Sequence, residues 1–222
     1  MNGGAAAVIT NNSGGTVQIQ SQVIAANGFS FSGNNTTLFI GTSNQIAGTV
    51  TQGGSGNLFF YNPNTVNSAS FVMSGAGSLR FGATTATNYA IASNFDLQGA
   101  GQVRSIFQNA SGTAYLRLSG NITGDAGLDL QSGTPANTET RFDLTGVNTY
   151  AGNTVIESNV SFNNLRNFGE GSIAFRACYA LFSGTEDQHS VESLGWQTAQ
   201  KNTRPIIPAM SATRNGNFAQ PI

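Results

Sequence analysis

Charge is scarce in this chain. Charged residues make up 9% of its 222 residues, against roughly 25% in average soluble domains, and none occurs before Arg80. The net charge of −1 removes any electrostatic drive toward nucleic acid or an anionic membrane surface. Cys178 is the single cysteine, so burial and backbone hydrogen bonding, not an internal disulfide, must hold the fold. His189 is the single histidine. That rules out a His/Cys zinc cluster, and any Ser-His-Asp arrangement would depend on a residue that reads as a solvated loop histidine beside acids. No apolar run approaches the roughly 18 residues of a membrane helix, and the long alternation of a transmembrane β-strand is not evident. No Lys or Arg precedes Ala5–Ile9, and that stretch is too short for the apolar region of a secretory signal.

What is present is repetition. Gly54-Ser-Gly-Asn-Leu-Phe-Phe60 recurs as Gly75-Ala-Gly-Ser-Leu-Arg-Phe81 and again as Gly99-Ala-Gly-Gln-Val-Arg-Ser105. Looser copies run from Gly33 to Ile40 and from Gly124 to Leu130. Leu38, Leu58, Leu79, Val103 and Leu128 thereby fall at nearly regular intervals, lengthening slightly toward the C-terminus. A period of roughly 20 to 25 residues, built from short strands and glycine turns, is the mark of stacked coils. Disorder is excluded over 1–176, because the hydrophobic fraction is 39% with fifteen Phe, too apolar for a chain that cannot bury a core.

Apolar residues two apart, punctuated by Asn-Gly, Gly-Gly, Ser-Gly and Asn-Pro, predict short half-buried strands. The strands fall at Thr16–Ile19, Leu38–Ile40, Asn57–Tyr61, Ser70–Met73, Leu79–Phe81, Ile91–Leu97, Tyr115–Leu118, Leu128–Leu130, Arg141–Leu144, Thr154–Ile156 and Val160–Phe162. Such short strands cannot bury an apolar face alone, whereas stacking coil on coil piles Leu, Ile, Val and Phe into columns. The fold class expected is therefore all-β: a single-stranded parallel β-helix over 1–176, with an irregular tail or cap over 177–222. The pleat turns Arg80, Asp96, Arg117, Asp129 and Asp143 outward between buried neighbours. Aligning the glycine phrases gives an outer column Phe39, Phe59, Arg80, Arg104, Asp129, with Phe39 stacked on Phe59 and Arg104 paired with Asp129. That column reads as a solvated ladder, and alternatively as a groove with a Phe platform for a glycan.

From Arg141 onward the residues carry a family pattern. In Phe142-Asp-Leu-Thr-Gly-Val-Asn-Thr-Tyr-Ala-Gly-Asn-Thr-Val-Ile-Glu-Ser-Asn-Val-Ser-Phe162, residues Gly146, Asn148, Thr149, Tyr150, Gly152 and Thr154 match, while Asn159 and Val160 replace the usual glycine and leucine. This stretch resembles the autotransporter-associated β-strand repeat. Asn164–Phe175 is similar to the segment that usually follows, and Leu118–Gly124 extends the likeness upstream. The resemblance implies a β-solenoid passenger segment at the bacterial cell surface or outside the cell, with cell-surface glycans or proteins as partners and no catalytic residue. It also implies export signals and a membrane barrel on sequence outside this chain, and Met1 entering repeat-like sequence directly suggests a fragment open to end or edge self-association. In local terms, Gly146 and Gly152 are expected to allow positive φ at corners. Asn148 and Thr149 are expected to bond turn backbone, and Tyr150 to cap an apolar column with its hydroxyl in water.

Chemistry is thin elsewhere. Parallel β-helices also serve as polysaccharide hydrolases, lyases and phage tailspikes. Glycosidic hydrolysis needs two carboxylates about 5–9.5 Å apart, and Asp129 with Asp143 is the best pair, with Arg117 as helper. Gly124-Asp-Ala-Gly-Leu-Asp-Leu130 is one imperfect copy of a glycine-aspartate calcium repeat, and such sites need neighbouring coils to share ligands. No catalytic, cofactor-binding or metal-binding residue is assigned, and no cofactor is expected. The tail admits three readings: a linker, a cap in which Trp196, Ile206 and Ile207 pack on the last coil, or a stretch out of frame with its ancestor.

Overall fold

The computed structural model describes residues 7–82, 88–109, 115–133, 141–176 and 180–182. It is a parallel β-solenoid of about seven turns with almost no helix, as the repeats predict. The first face stacks β1 (Ala7–Ile9), β4 (Gly28–Phe31), β6 (Gln45–Gln52), β8 (Ser68–Met73), β11 (Phe95–Leu97) and β14 (Ile122–Gly124), with β3 (Ile24–Ala25) beside the start of β6. The second stacks β2 (Val17–Ile19), β5 (Thr37–Phe39), β7 (Leu58–Phe60), β9 (Leu79–Phe81), β12 (Val103–Gln108), β15 (Gly127–Ser132), β17 (Thr154–Glu157) and β19 (Ile173–Phe175). The third holds β10 (Tyr89–Ile91), β13 (Tyr115–Leu118), β16 (Arg141–Leu144), β18 (Asn159–Phe162) and β20 (Ala180–Phe182). Neighbouring strands in every face pair in parallel.

The third face begins partway along. Thr37 pairs with Leu58 and Leu58 with Leu79, two coils of equal and short length, which leaves room for little beyond two strands. In the next coil Leu79 meets Ile106, a longer step along the chain, and the added length carries β10. The stretch Ile91–Leu97, read above as one strand, divides into β10 and β11 on different faces. Ala92-Ser-Asn94 turns the corner, where the Ser93 hydroxyl donates to the Val66 carbonyl at 2.8 Å. Below β10, a 3₁₀ turn at Pro63–Val66 fills the third side.

The core changes character along the axis. In the early coils it is a ladder of rings: Phe39 stacks on Phe60 at 5.2 Å and Phe60 on Phe81 at 5.8 Å. A second column, Phe71 on Phe95 at 5.1 Å, meets the first edge-on. Later coils carry Ile106, Leu130 and Ile156 on the second face and Leu116, Phe142 and Val160 on the third, all buried. The flanks of the outward charges (Leu79 and Phe81, Phe95 and Leu97, Leu116 and Leu118, Phe142 and Leu144) are all buried, as the pleat requires.

The glycine columns serve close approach rather than positive φ at most corners. A Cβ on Gly54 would collide with the backbone oxygen of Gly33, and one on Gly75 with that of Gly54. Gly146 and Gly152, expected to hold positive φ, do not. A Cβ there would strike Gly120 and Gly127 of the coil below. The third copy of the phrase is different. Gly99 (φ 105°) and Gly101 (φ 76°) form a reverse turn closed by Gln102 N–H to the Gly99 carbonyl at 2.9 Å.

Candidate functional site

That reverse turn overturns the outer column read from the sequence. Ile106, not Val103, lies against Leu79, and Leu128 lies against Arg104. Of the five aliphatic positions aligned above, Leu58 and Leu79 stay in one column; Leu38 pairs with Phe59 instead. Phe39 therefore points inward onto Phe60, while Phe59 stacks on Tyr61 at 4.6 Å. Phe59 is itself buried, so no exposed Phe39–Phe59 platform exists.

Arg104 is buried rather than outward, and it does not pair with Asp129. Its guanidinium donates to the Gly75 carbonyl at 2.6 Å and to the Gln98 carbonyl at 2.8 Å. Burial pulls its pKa down, opposed by the charge of Asp125. Gln52 does the same work two coils earlier, donating to the carbonyls of Gly54 and Gly56 at 2.8 and 2.9 Å. Arg104 is thus a turn brace. Arg80, its supposed neighbour, lies over the Phe107 ring at 4.5 Å and donates to Ser78 Oγ at 3.0 Å.

The two carboxylates proposed as a hydrolytic pair sit on different faces. Asp143 is on β16 of the third face, where Arg117 Nε donates to its Oδ2 at 2.7 Å. Tyr115 lies beside this pair, with Arg117 and Arg141 at 5.6 and 5.5 Å from its ring. Asp129 is on β15 of the second face and accepts from Ser105 Oγ at 3.2 Å and Gln131 Nε2 at 2.5 Å. The carboxylate nearest it in effect is Glu157, which the sequence reading passed over. Burial first, then the Glu157 charge, raises the Asp129 pKa. Asp125 accepts the Gly99 N–H at 2.7 Å and so closes the reverse turn. Among the described residues, no three His, Cys, Asp or Glu side chains gather as metal ligands. His189 and the tail residues Trp196, Ile206 and Ile207 lie outside the described residues.

Of the residues shared with the repeat pattern, Gly146, Asn148, Tyr150 and Thr154 are buried in the coil stack, Gly152 is half-buried at a corner, and Thr149 is exposed. Asn148 is buried; its Oδ1 accepts Ile122 N–H at 2.9 Å and its Nδ2 donates to the Asn167 carbonyl. Asn167, buried above it, donates to the Gly146 carbonyl at 2.6 Å and accepts Asn164 N–H at 2.9 Å. This starts the 3₁₀ turn at Leu165–Phe168 with a capping box. Thr149 reaches the Ile122 carbonyl through its backbone N–H. Tyr150 does not reach water. It is fully buried, its hydroxyl bonds Thr154 Oγ1, and burial drives its pKa well above the ordinary phenol value.

A groove with unengaged polar groups does exist, at the step where the third side begins. It has a volume of about 400 Å³ and lies among the end of β3, the start of β6 and the 3₁₀ turn at Pro63–Val66. Gln45, Asn64, Asn67 and Ser68 reach it exposed, with no side-chain hydrogen bond among the described residues, and Ile24, half exposed, forms an apolar wall. In the sequence the polar run Asn62-Pro-Asn-Thr65 reads only as a turn. Nothing in one coil's sequence shows that it overhangs the coils below. No family model, curated protein or solved structure matches this chain. What stands is a parallel β-solenoid of the β-helix repeat kind.

Proposed function

We propose that this chain is a structural solenoid segment of a bacterial cell-surface or secreted protein, of autotransporter passenger type, acting as a stalk or adhesin rather than an enzyme. One observation carries the reading: of the six residues shared with the autotransporter-associated repeat, Gly146, Asn148, Gly152 and Thr154 abut or bond neighbouring coils, Tyr150 is buried against Thr154, and the exposed Thr149 is tied to the coil below through its backbone N–H. Thr154 Oγ1 donates to the Phe168 carbonyl at 2.8 Å and ties the strand to the following turn. That Asp129 and Asp143, weighed as a hydrolytic pair, lie on two different faces supports the nonenzymatic reading. Low charge and a repeated backbone ladder suit a long passive element. The test is protease shaving of intact producing cells followed by mass spectrometry. Release of peptides from residues 141–176 supports the reading; their recovery from the cytosol alone would overturn it.

A further inference from the structure

The groove at the step has the makings of a recognition site. Of its polar lining, Asn44 and Thr65 are already bonded to backbone, and the side chains still open are three amides and a hydroxyl, from Gln45, Asn64, Asn67 and Ser68. These groups come from two successive coils, so only the stacked fold brings them together. Each amide offers both a donor and an acceptor, and none of the four is committed to another described residue. No charged side chain lines the groove, and none occurs in the sequence before Arg80. An ionic ligand would therefore find no counter-charge, and a purely apolar one would strip water from the amides without replacing their hydrogen bonds. A ligand with alternating hydroxyl donors and acceptors over an apolar ring face satisfies both the amides and the Ile24 wall. At about 400 Å³ the groove lies toward the small end of ligand sites, which run from roughly 300 to 1,000 Å³.

We propose that this groove binds a short neutral oligosaccharide, with Gln45, Asn64 and Asn67 hydrogen-bonding its hydroxyls and Ile24 covering a ring face. The proposal gives the surface reading a ligand class, but it stands or falls by binding, whereas that reading stands or falls by location. The experiment titrates the purified full chain with maltotriose, N,N′-diacetylchitobiose and sialyllactose, followed by calorimetry. A neutral sugar binds, raising the salt concentration leaves its affinity unchanged, and Gln45→Ala with Asn67→Ala weakens it about tenfold or more, the loss of about 1.4 kcal/mol. Asn64→Asp, which keeps side-chain size but adds charge, is a second variant should the double variant fail to fold, and it too weakens binding. Arg117→Ala, on the third face, leaves binding intact. Failure of both neutral sugars to bind, preference for sialyllactose, equal affinity in the Asn64→Asp protein, or loss of binding in Arg117→Ala would each overturn the proposal.

Discussion

The early and late coils solve the same stacking problem with different materials. Up to Phe81 the chain carries no charge but Arg80, its coils are short, and its interior is a ladder of phenylalanine rings. Beyond Tyr89 a third strand joins each coil, the second-face column turns aliphatic, and charges decorate the outside. A short coil has little perimeter, so large rings must fill it from few positions. A longer coil supplies a third inward-facing strand and can use smaller side chains. The corners do not change in the same way: glycine abuts glycine and buried asparagine braces the turn in both halves, as Gly75 on Gly54 and Asn44 do early and Gly146 on Gly120 and Asn148 do late.

The most severe way to break the early half is Phe71→Ala. Phe71 touches Phe60, Phe81 and Phe95, so both ring columns lose a partner, and the expected cost is about 3–5 kcal/mol. Leu130→Ala in the late half removes a smaller, aliphatic buried side chain and should cost about 2–3 kcal/mol, the low end for such truncations. Urea melts of the two variants test the contrast. Equal losses would mean that the ring ladder adds nothing beyond buried area.

Next in size is Asn148→Ala. It strands the Ile122 N–H and the Asn167 carbonyl inside a dry corner, at about 1–3 kcal/mol for an unsatisfied buried group. Asn94 makes the matching bond to Asn121 N–H at 2.9 Å from an exposed position. Water can replace it there, so Asn94→Ala should cost well under half as much by thermal melting. A smaller effect is expected of Tyr150→Phe. It deletes one hydroxyl partner of Thr154, which keeps its bond to Phe168, for about 1 kcal/mol.

How far the sequence spoke follows from the same contrast. Solenoid class, parallel stacking and the outward placement of Arg80, Asp96, Arg117 and Asp143 were legible, because period-2 apolar pairs fix which side of a strand is buried. Register was legible only where coil length stayed constant, as from Leu58 to Leu79. At Gly99-Ala-Gly101 the same letters build a positive-φ turn instead of a close-packed corner, and the alignment slips from Val103 to Ile106. That slip carried Arg104 from the surface to the inside. The longest strand, β6, went unread because Gln-Ile-Ala-Gly-Thr-Val-Thr-Gln is polar and holds Gly48 at φ 68°. The groove was illegible for a different reason: its groups are neighbours only across coils.

The late half also carries a carboxylate whose titration should register in stability. The folded chain holds the Asp129 proton more tightly than the unfolded chain does, through burial and the Glu157 charge. Its contribution to stability is therefore greatest in acid and falls as pH rises through the interval between the ordinary aspartate value and the raised one. Asp129→Asn should flatten that part of the profile and leave the protein more stable at neutral pH. Urea midpoints measured across the acid range check this, and an unchanged slope would mean that Asp129 is solvated in the folded state.

The smallest effect should come from the most conspicuous contact. Arg117 and Asp143 form a 2.7 Å ion pair, yet the Arg117 side chain is 45% exposed. Arg117 titrates above its usual range because of the hydrogen bond and charge of Asp143, but solvent screens the pair, and exposed pairs are worth about 0.2–1 kcal/mol. Arg117→Ala should therefore move the urea midpoint barely at all, and less still in high salt. Light scattering should respond more, because the early half has almost no charge and the chain depends on the late half to keep copies apart. A large loss of stability with no change in association would reverse the division of labour: the outer charges would then be holding the coils together, not merely keeping the stack in solution.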